Sequence, residues 1–416
     1  MAVLGVDFGT SNSAVGICVD GAAQLIPIES GATTLPTAVF LDFEARRAIY
    51  GSPANAALIA GDEGRYVRAL KSLLGTSLMR ERRTFLNESV DFITIVGRFL
   101  AELKSRAERA TGLEFDTALS GRPVLFHSAD PKRNAQALVD LTDCYHAAGF
   151  KGVTFMPEPE AAALANRSVL HPGDLGLVVD IGGGTSDFTL FRQGTDSGID
   201  ILASHGVRLG GTDFDRALNL AFVMPELGMG SAIRHAFGDQ THVAPNAIFH
   251  ELATWQKIPF LYTHETRRAA RELAQYAVDP THLNRLVQVL EQEVGHDIAF
   301  AVETAKIAAN MQTSALPDID LSMIEKGLCA PLYPVAMTAT LAQMAERVGE
   351  AASDTMTQAG VDPDAVDRLI FVGGSSLMQV IEAALTRRFA RAQVHRGAAL
   401  TAIVEGLALA TGQSNR

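Results

Sequence analysis

The sequence predicts an α/β fold with two related lobes, and three observations carry that expectation. A strand-like run that ends in Asp and a small Gly-containing turn occurs twice, strands alternate with amphipathic helical stretches, and 47% of the 416 residues are hydrophobic. That apolar content offsets chain entropy. The first copy runs through residues 3–6 (VLGV), the turn DFGTSNS at 7–13 and a second run at 14–19. The second copy runs through 177–179 (LVV), DIGGGTSD at 180–187 and FTLF at 188–191. Each reads as a β-hairpin, two apolar runs around a small polar turn. Asp7 and Asp180 stand 180 − 7 = 173 positions apart, about the size of a domain.

The remaining elements follow in order. Amphipathic spacing predicts helices over 92–111 and 135–148, with a strand at 123–126 between them. After the second hairpin, 199–204 and 207–209 have strand character, 214–222 reads as a helix, and the Gly- and Pro-containing stretch 224–245 reads as loop. Residues 224–311 form an inserted, largely helical subdomain. The apolar run 369–372 is a buried strand leading into GGSS at 373–376, helices follow at 378–388 and 398–411, and no low-complexity linker or further module follows. The expected division is a first lobe over 1–172, rejoined by a returning helix within 395–416, and a second lobe over 173–394.

Charge narrows the function classes. Lys and Arg number 35 against 47 Asp and Glu, a net charge of −12, so nothing draws the chain toward nucleic acid or anionic lipid. Cys18, Cys144 and Cys329 are far apart and form no CxxC pair, which argues against a disulfide framework or a cysteine zinc site and fits a reducing cytoplasm. Asp7 interrupts the apolar N-terminus, so no signal peptide is expected there. Asp180 and Glu405 interrupt the other apolar runs before they reach membrane-spanning length.

The two hairpin turns hold the residues that can carry chemistry. A phosphate chain needs closely approaching backbone N–H groups, small residues that permit the approach, and a carboxylate to hold Mg²⁺ through its waters. Gly9, Gly182, Gly183 and Gly184 can expose amides; Thr10, Ser11 and Thr185 offer hydroxyls; Asp7, Asp180 and Asp187 offer carboxylates. One such turn is an ordinary polar hairpin, whereas two at lobe spacing form a matched pair. Neither GxGxxG opening into a helix nor GxxxxGK[ST] is present, so hairpins and not a helix N-terminus would hold the phosphates.

The motifs DFGTSNS, DIGGGTSDF, LGGTDFD at 209–215 and FVGGSS at 371–376, in this order, resemble the ATPase domain of the 70-kDa heat-shock chaperones. They resemble more loosely the wider actin, hexokinase and heat-shock ATPase superfamily. The resemblance covers nearly the whole chain and is strongest to short bacterial members without a peptide-binding half. It implies a two-lobed actin-like ATPase fold built from duplicated ribonuclease-H-like domains with inserted subdomains. It also implies ATP or ADP with Mg²⁺ as ligands, and unfolded or partner proteins as clients.

The resemblance assigns roles to particular residues. Asp7 and Asp180 match the aspartates that hold hydrated Mg²⁺, Thr10 and Thr185 the threonines on the phosphates, and Asp187 an acidic residue near the attacking water. Lys71, in RALKSLLG at 68–75 and the first of the lysines, resembles the lysine that reaches the γ-phosphate. Glu158, in PEPEAAA at 157–163, resembles the glutamate linking metal and water to a conformational switch, and Pro123 and Arg133 resemble the proline and arginine of that switch. Gly210 and Gly211 belong to the second phosphate-side loop. Glu303 and Lys306 resemble the pair on the ribose, and Gly373, Gly374 and Ser375 the loop beneath the adenosine.

The chain departs from that pattern at the base. Ile307 and Leu377 stand where typical relatives place arginines against the adenine, and Arg396-Gly397-Ala398-Ala399 stands where acidic residues are expected. Poorer discrimination between adenine and guanine nucleotides follows, because an aliphatic side chain packs on a purine without a cation–π contact. The expected function is a chaperone-like protein that hydrolyses Mg-ATP slowly as a switch and has no peptide-binding module. An actin-like filament protein, a small-molecule kinase of the same superfamily and a nucleotide-binding scaffold without hydrolysis remain as alternatives.

Overall fold

Both expected hairpins form, and each starts a five-strand path with the same connectivity. The computed structural model describes residues 2–413 except 87, 128, 196–197, 236–239, 312–316 and 398–399. In the first sheet, Val3–Phe8 pairs antiparallel with Asn12–Val19, which pairs with Ala22–Leu25; on its other side it runs parallel to Thr117–Arg122 and then Gly152–Pro157. Thr34–Pro36 also pairs with Asn12–Val19. In the second sheet, Leu175–Ile181 pairs antiparallel with Ser186–Gln193 and through it with Ile199–Val207; on its other side it runs parallel to Arg368–Val372 and then Gln393–Arg396. Counting strands from each hairpin, the spatial order is 3-2-1-4-5 in both sheets. This is the duplicated, actin-like α/β arrangement that the two aspartate turns predict.

Local signals set the helices. Phe92–Thr111 starts where the Asp91 side chain accepts the Thr94 N–H at 2.9 Å and stops at Gly112, whose φ of 71° suits glycine. Its buried residues Phe92, Ile95, Val96, Phe99, Leu100, Leu103 and Ala107 recur at helical spacing. The helix expected over 135–148 begins earlier, at Pro131, because Asp130 caps the N–H groups of Lys132 and Arg133 and proline suits the first turn.

The strand expected at 123–126 lies one segment earlier, at Thr117–Arg122. Pro123 has no N–H for a ladder, and the next amides serve side chains: Val124 donates to Asp187 and Phe126 to Asn134. The two strands expected at 199–204 and 207–209 are one, Ile199–Val207. The helix expected at 214–222 covers Gly211–Leu218 and continues as a wider turn, Asn219–Val223. The stretch 224–245 is not all loop, since Ala232–Arg234 pairs with Thr241–Val243. Ala398 and Ala399, which open the expected final helix, and residues 414–416 of the returning segment lie outside the described residues; the described helix is Ala402–Gln413.

By internal contacts the chain divides into two units, Met1–Gly211 with Ala345–Arg416, and Thr212–Met344. The first holds both sheets and, between them, the helices Glu158–Ala165 and Ala402–Gln413. Glu158–Ala165 packs Ala162 and Ala163 on Val178, Phe191 and Ile370 of the second sheet. Ala402–Gln413 lies on the first sheet, its backbone at Ala408 so near that a Cβ on Gly5 would meet it at 3.0 Å. The two helices touch where Gly406 meets Ala161, and a Cβ on Gly406 would fall 1.8 Å from the Ala161 carbonyl oxygen. In the second unit Leu283, Leu286, Leu290, Ile298 and Val302 are fully buried, and Trp255 stands edge-on to Phe300 at 5.2 Å.

Candidate functional site

The ends of both hairpins, one short turn and one helix start bring five ionisable side chains into a single buried cluster. Asp7 is the penultimate residue of Val3–Phe8, and Asp180 occupies the same place in Leu175–Ile181. Antiparallel register sets Asp187 directly opposite Asp180. Glu158 opens the helix Glu158–Ala165, where a carboxylate suits the positive helix end. Lys71 projects from the turn Leu70–Leu73, entered through Ala69 at a φ of 58°, a left-handed conformation that costs a non-glycine residue about 1–2 kcal/mol. Its ammonium donates to Glu158 Oε1, and both side chains are at least nine-tenths buried.

Four carboxylates around one lysine are out of balance, and the ionisation of the group reflects it. Burial pushes Asp7 up to about 7, Glu158 adds to the shift and Lys71 opposes it. Burial and Glu158 likewise push Asp187 up to about 7, against hydrogen bonds from Thr185 and the Val124 amide. Asp180 is raised well above the usual carboxylate range by burial, by Glu158 and by the two other aspartates. Burial works against charge on Lys71, but Glu158 and then Asp7 outweigh it and hold the ammonium above its ordinary pKa. Asp187 Oδ2 is buried with no hydrogen-bond partner. A cation beside these oxygens would remove the imbalance.

The two glycine turns pack against each other, and the second shares a cavity with Lys71. Gly183 lies so near the first hairpin that a Cβ there would stand 2.8 Å from Ser11 Oγ and 3.0 Å from Thr10 Cβ. Gly182 takes part in two backbone bonds, donating to Thr185 and accepting from Gly211 at 2.9 Å, which ties the LGG segment beneath the second turn. Gly210 is packed against that turn's backbone: a Cβ would fall 2.6 Å from Gly184 N and 2.8 Å from Gly182 O. Thr10, Lys71, Gly184 and Thr185 line one cavity together with Pro123, Ser72, His127 and Arg208. Gly9 begins the first turn, and Gly373, Gly374 and Ser375 follow Arg368–Val372, the strand that places Val372 beside Asp180.

Glu303 and Lys306 sit on the helix Gly295–Met311 of the second unit. Lys306 is buried there, its ammonium 2.6 Å from Asp215 Oδ1. Ile307 on that helix is 50% exposed, and Leu377 in the first unit is 43% exposed. Arg133 is exposed on Pro131–Ala147. Sequence reasoning did not single out Ser72, His127 or Arg208. Ser72 follows Lys71 and Arg208 precedes LGGTDFD, so adjacency to recognised motifs is the signal that finds two of them.

Duplicated sheets with an aspartate and a glycine turn at the same place in each define a protein of the actin-like fold class. The pattern of the family described as Hsp70 protein matches residues 3–234, more than half of the chain, and the chain belongs to that family. It is 24% identical over 392 residues to a chaperone protein DnaK of Elusimicrobium minutum, covering 91% of this chain and 52% of that protein. It is 32% identical over 252 residues to a chaperone protein HscA homolog of Pseudomonas aeruginosa, covering 55% and 38%. A DnaK of Endomicrobium trichonymphae is 30% identical over 224 residues, covering 52% and 34%. The chain thus spans about half the length, or less, of these relatives.

The family implies ATP or ADP with Mg²⁺, and the cluster can be tested against the ion. Among the described residues no three His, Cys, Asp or Glu side chains converge to ligate a metal directly. Several buried carboxylates around a single lysine, with one oxygen unpartnered, suit instead a hydrated dication held through its waters. The residues fit the group in that form. No described helix is long and apolar enough to cross a membrane.

Proposed function

We propose that the chain binds Mg-ATP between its two glycine turns and hydrolyses it slowly, as the conformational switch of a chaperone-like protein. The observation that supports this most is the buried Lys71–Glu158 pair among Asp7, Asp180 and Asp187, with Lys71 lining the same cavity as Thr10, Gly184 and Thr185. The backbone amides of Gly183 and Gly184, with the hydroxyls of Thr10 and Thr185, bind the phosphate chain, while the Gly182 amide, expected from the sequence to join them, is spent on the Thr185 carbonyl and holds the turn closed. Asp7 and Asp180 hold the waters of Mg²⁺, which when bound offsets negative charge on the β- and γ-phosphates. Lys71 meets the γ-phosphoryl oxygens, and Asp187 accepts a proton from the attacking water as the bond to the ADP oxygen breaks. Glu303 and Lys306, and separately Gly373, Gly374 and Ser375, serve the nucleoside. The lobes over 1–172 with 395–416 and over 173–394 close around the nucleotide, and the clients are unfolded or partner proteins. The free thiols of Cys18, Cys144 and Cys329 suit a reducing cytoplasm.

Calorimetry with ATP, ADP and GTP in Mg²⁺, joined to phosphate release, tests this reading. Binding of ATP and ADP with slow turnover is expected, and GTP should fall within about a hundredfold of ATP because Ile307 and Leu377 offer the base no cation. No binding of either adenine nucleotide would overturn it. Gly210→Ala should weaken ATP by roughly a hundredfold, because its Cβ would meet the backbone of Gly182, Gly183 and Gly184 and the second turn must shift. Unchanged affinity would remove that turn from the site.

The proton acceptor predicts a pH profile. With Asp187 pushed up to about 7 in the nucleotide-free chain, kcat/KM for ATP, which reports the groups of the free protein, should fall as the pH drops below neutrality, about tenfold per pH unit once the carboxyl is mostly protonated. Asp187→Asn should abolish both the turnover and the inflection. A flat wild-type profile between acid and neutral pH would assign the proton elsewhere.

A further inference from the structure

Arg208 lies at the wall of the cavity that Lys71, Thr10 and Thr185 line, just beyond the end of the strand Ile199–Val207. Three contacts define its setting. Its Nη1 donates to His127 Nδ1 at 2.8 Å and its Nη2 to the Ser72 carbonyl at 3.3 Å, while His127 Nε2 lies 2.7 Å from the Leu74 carbonyl. A carbonyl can only accept and a guanidinium can only donate, so the imidazole carries its hydrogen on Nε2 and offers a bare Nδ1 to the arginine. Burial, with Arg208 and Arg133 nearby, holds the His127 pKa below its ordinary value despite the Leu74 bond. The ring stays neutral, so it orients the guanidinium without competing for an anion.

We infer that Arg208 is a second cation for the terminal phosphate, an arginine finger supplied by the chain itself and aimed by His127. This rests on the ATP reading above and deepens it. The strand Ile199–Val207 belongs to the second sheet, whereas Ser72, Leu74 and His127 belong to the chain that builds the first sheet and its flanking segments. The guanidinium therefore comes from the second sheet and is anchored on the Ser72 carbonyl of Lys71's own turn, at the cavity that Lys71 also lines. A five-donor planar fork can bond two phosphoryl oxygens at once, which one ammonium cannot. Charge spreads over three phosphoryl oxygens as the bond to the leaving ADP breaks, and a second cation there is worth most in that state. ADP lacks the oxygens concerned. Arg208 would thus also mark the difference between the two nucleotides, with His127 as its positioning residue.

The test compares Arg208→Ala, Arg208→Lys and His127→Ala with the unaltered 416-residue chain, measuring Mg-ATP turnover and, by calorimetry, ATP and ADP affinity. Arg208→Ala should slow turnover by about a hundredfold or more and weaken ATP, with ADP affinity unchanged. Millimolar guanidinium should restore part of the lost rate. Arg208→Lys should recover little, and His127→Ala should lose less than Arg208→Ala while keeping ADP affinity. Turnover and an ATP-to-ADP affinity ratio equal to wild type in Arg208→Ala would overturn the inference and leave the ATP reading standing. Equal loss of ATP and ADP binding in both arginine variants would also overturn it, by making Arg208 structural. Absence of nucleotide binding in the wild-type chain would overturn both.

Discussion

Lys71→Met is expected to destabilise the nucleotide-free chain by about 3–5 kcal/mol at pH 8, the cost of removing one partner from a buried ion pair. Lys71 bonds Glu158 and lies within the field of Asp7 and Asp180, so its loss leaves buried carboxylates without their cation. The loss should shrink at mildly acid pH. Asp7 and Asp187 are pushed up to about 7 in the folded chain, against 3.8 for an ordinary aspartate. Folded protein therefore keeps protons that unfolded protein has released between about pH 4 and 7, and stability from these groups falls as the pH rises through that window. Below it they are neutral and need no lysine. Lys71 itself is raised, so its own contribution is complete at neutral pH and is lost only above its ordinary 10.5. Turnover should drop by about 10²–10³ with ADP affinity nearly unchanged, since the charge is needed at the γ-phosphate. Denaturant unfolding at pH 8 and 5.5 decides the matter. A pH-independent loss, or equal weakening of ATP and ADP, would place Lys71 outside the site.

Gly406→Ala should cost about 3 kcal/mol or more and lower ATP turnover as well. The added carbon would fall 1.8 Å from the oxygen and 2.4 Å from the carbonyl carbon of Ala161, and both are backbone atoms that no rotamer change can clear. One helix must retreat from the other. Ala161 stands three residues, about one turn, after Glu158, so the retreat shifts the carboxylate that holds Lys71. Paired measurement of the unfolding midpoint and of turnover checks this. A variant within about 0.5 kcal/mol of wild type would show that the two helices can separate freely.

The helix contact also marks what sequence reading could and could not reach. The hairpins were legible because period-two apolar runs flank turns of small polar residues, and the pairing of Asp180 with Asp187 follows from one register. The strand at Thr117–Arg122 was harder to place. Its apolar residues are few, and the more apolar run beyond Pro123 spends its amides on Asp187 and Asn134. The approach of Gly406 to Ala161, some 245 residues away (406 − 161 = 245), leaves no local trace, because glycine in an apolar helix reads the same whether or not another backbone passes beside it. The bond from Arg208 to His127 spans 81 residues and leaves no local trace either. The cluster's chemistry was visible in its residue types, but its charge imbalance depends on burial, which only the packing of the two sheets creates.

The matching strand orders have a consequence in time. In each sheet the antiparallel hairpin is local, but the parallel neighbour arrives late: Thr117 follows Phe8 by 109 residues (117 − 8 = 109), and Arg368 follows Ile181 by 187 (368 − 181 = 187). At a ribosomal pace of about 5–20 residues per second, Leu175–Ile181 waits roughly ten to forty seconds for its partner. Through that interval it presents an unpaired apolar edge, the feature that invites pairing with another chain. Slow synthesis or a stall between residues 181 and 368 should therefore divert the nascent chain into aggregates. A protein whose relatives are named as chaperones would itself be among those that need shelter while being made.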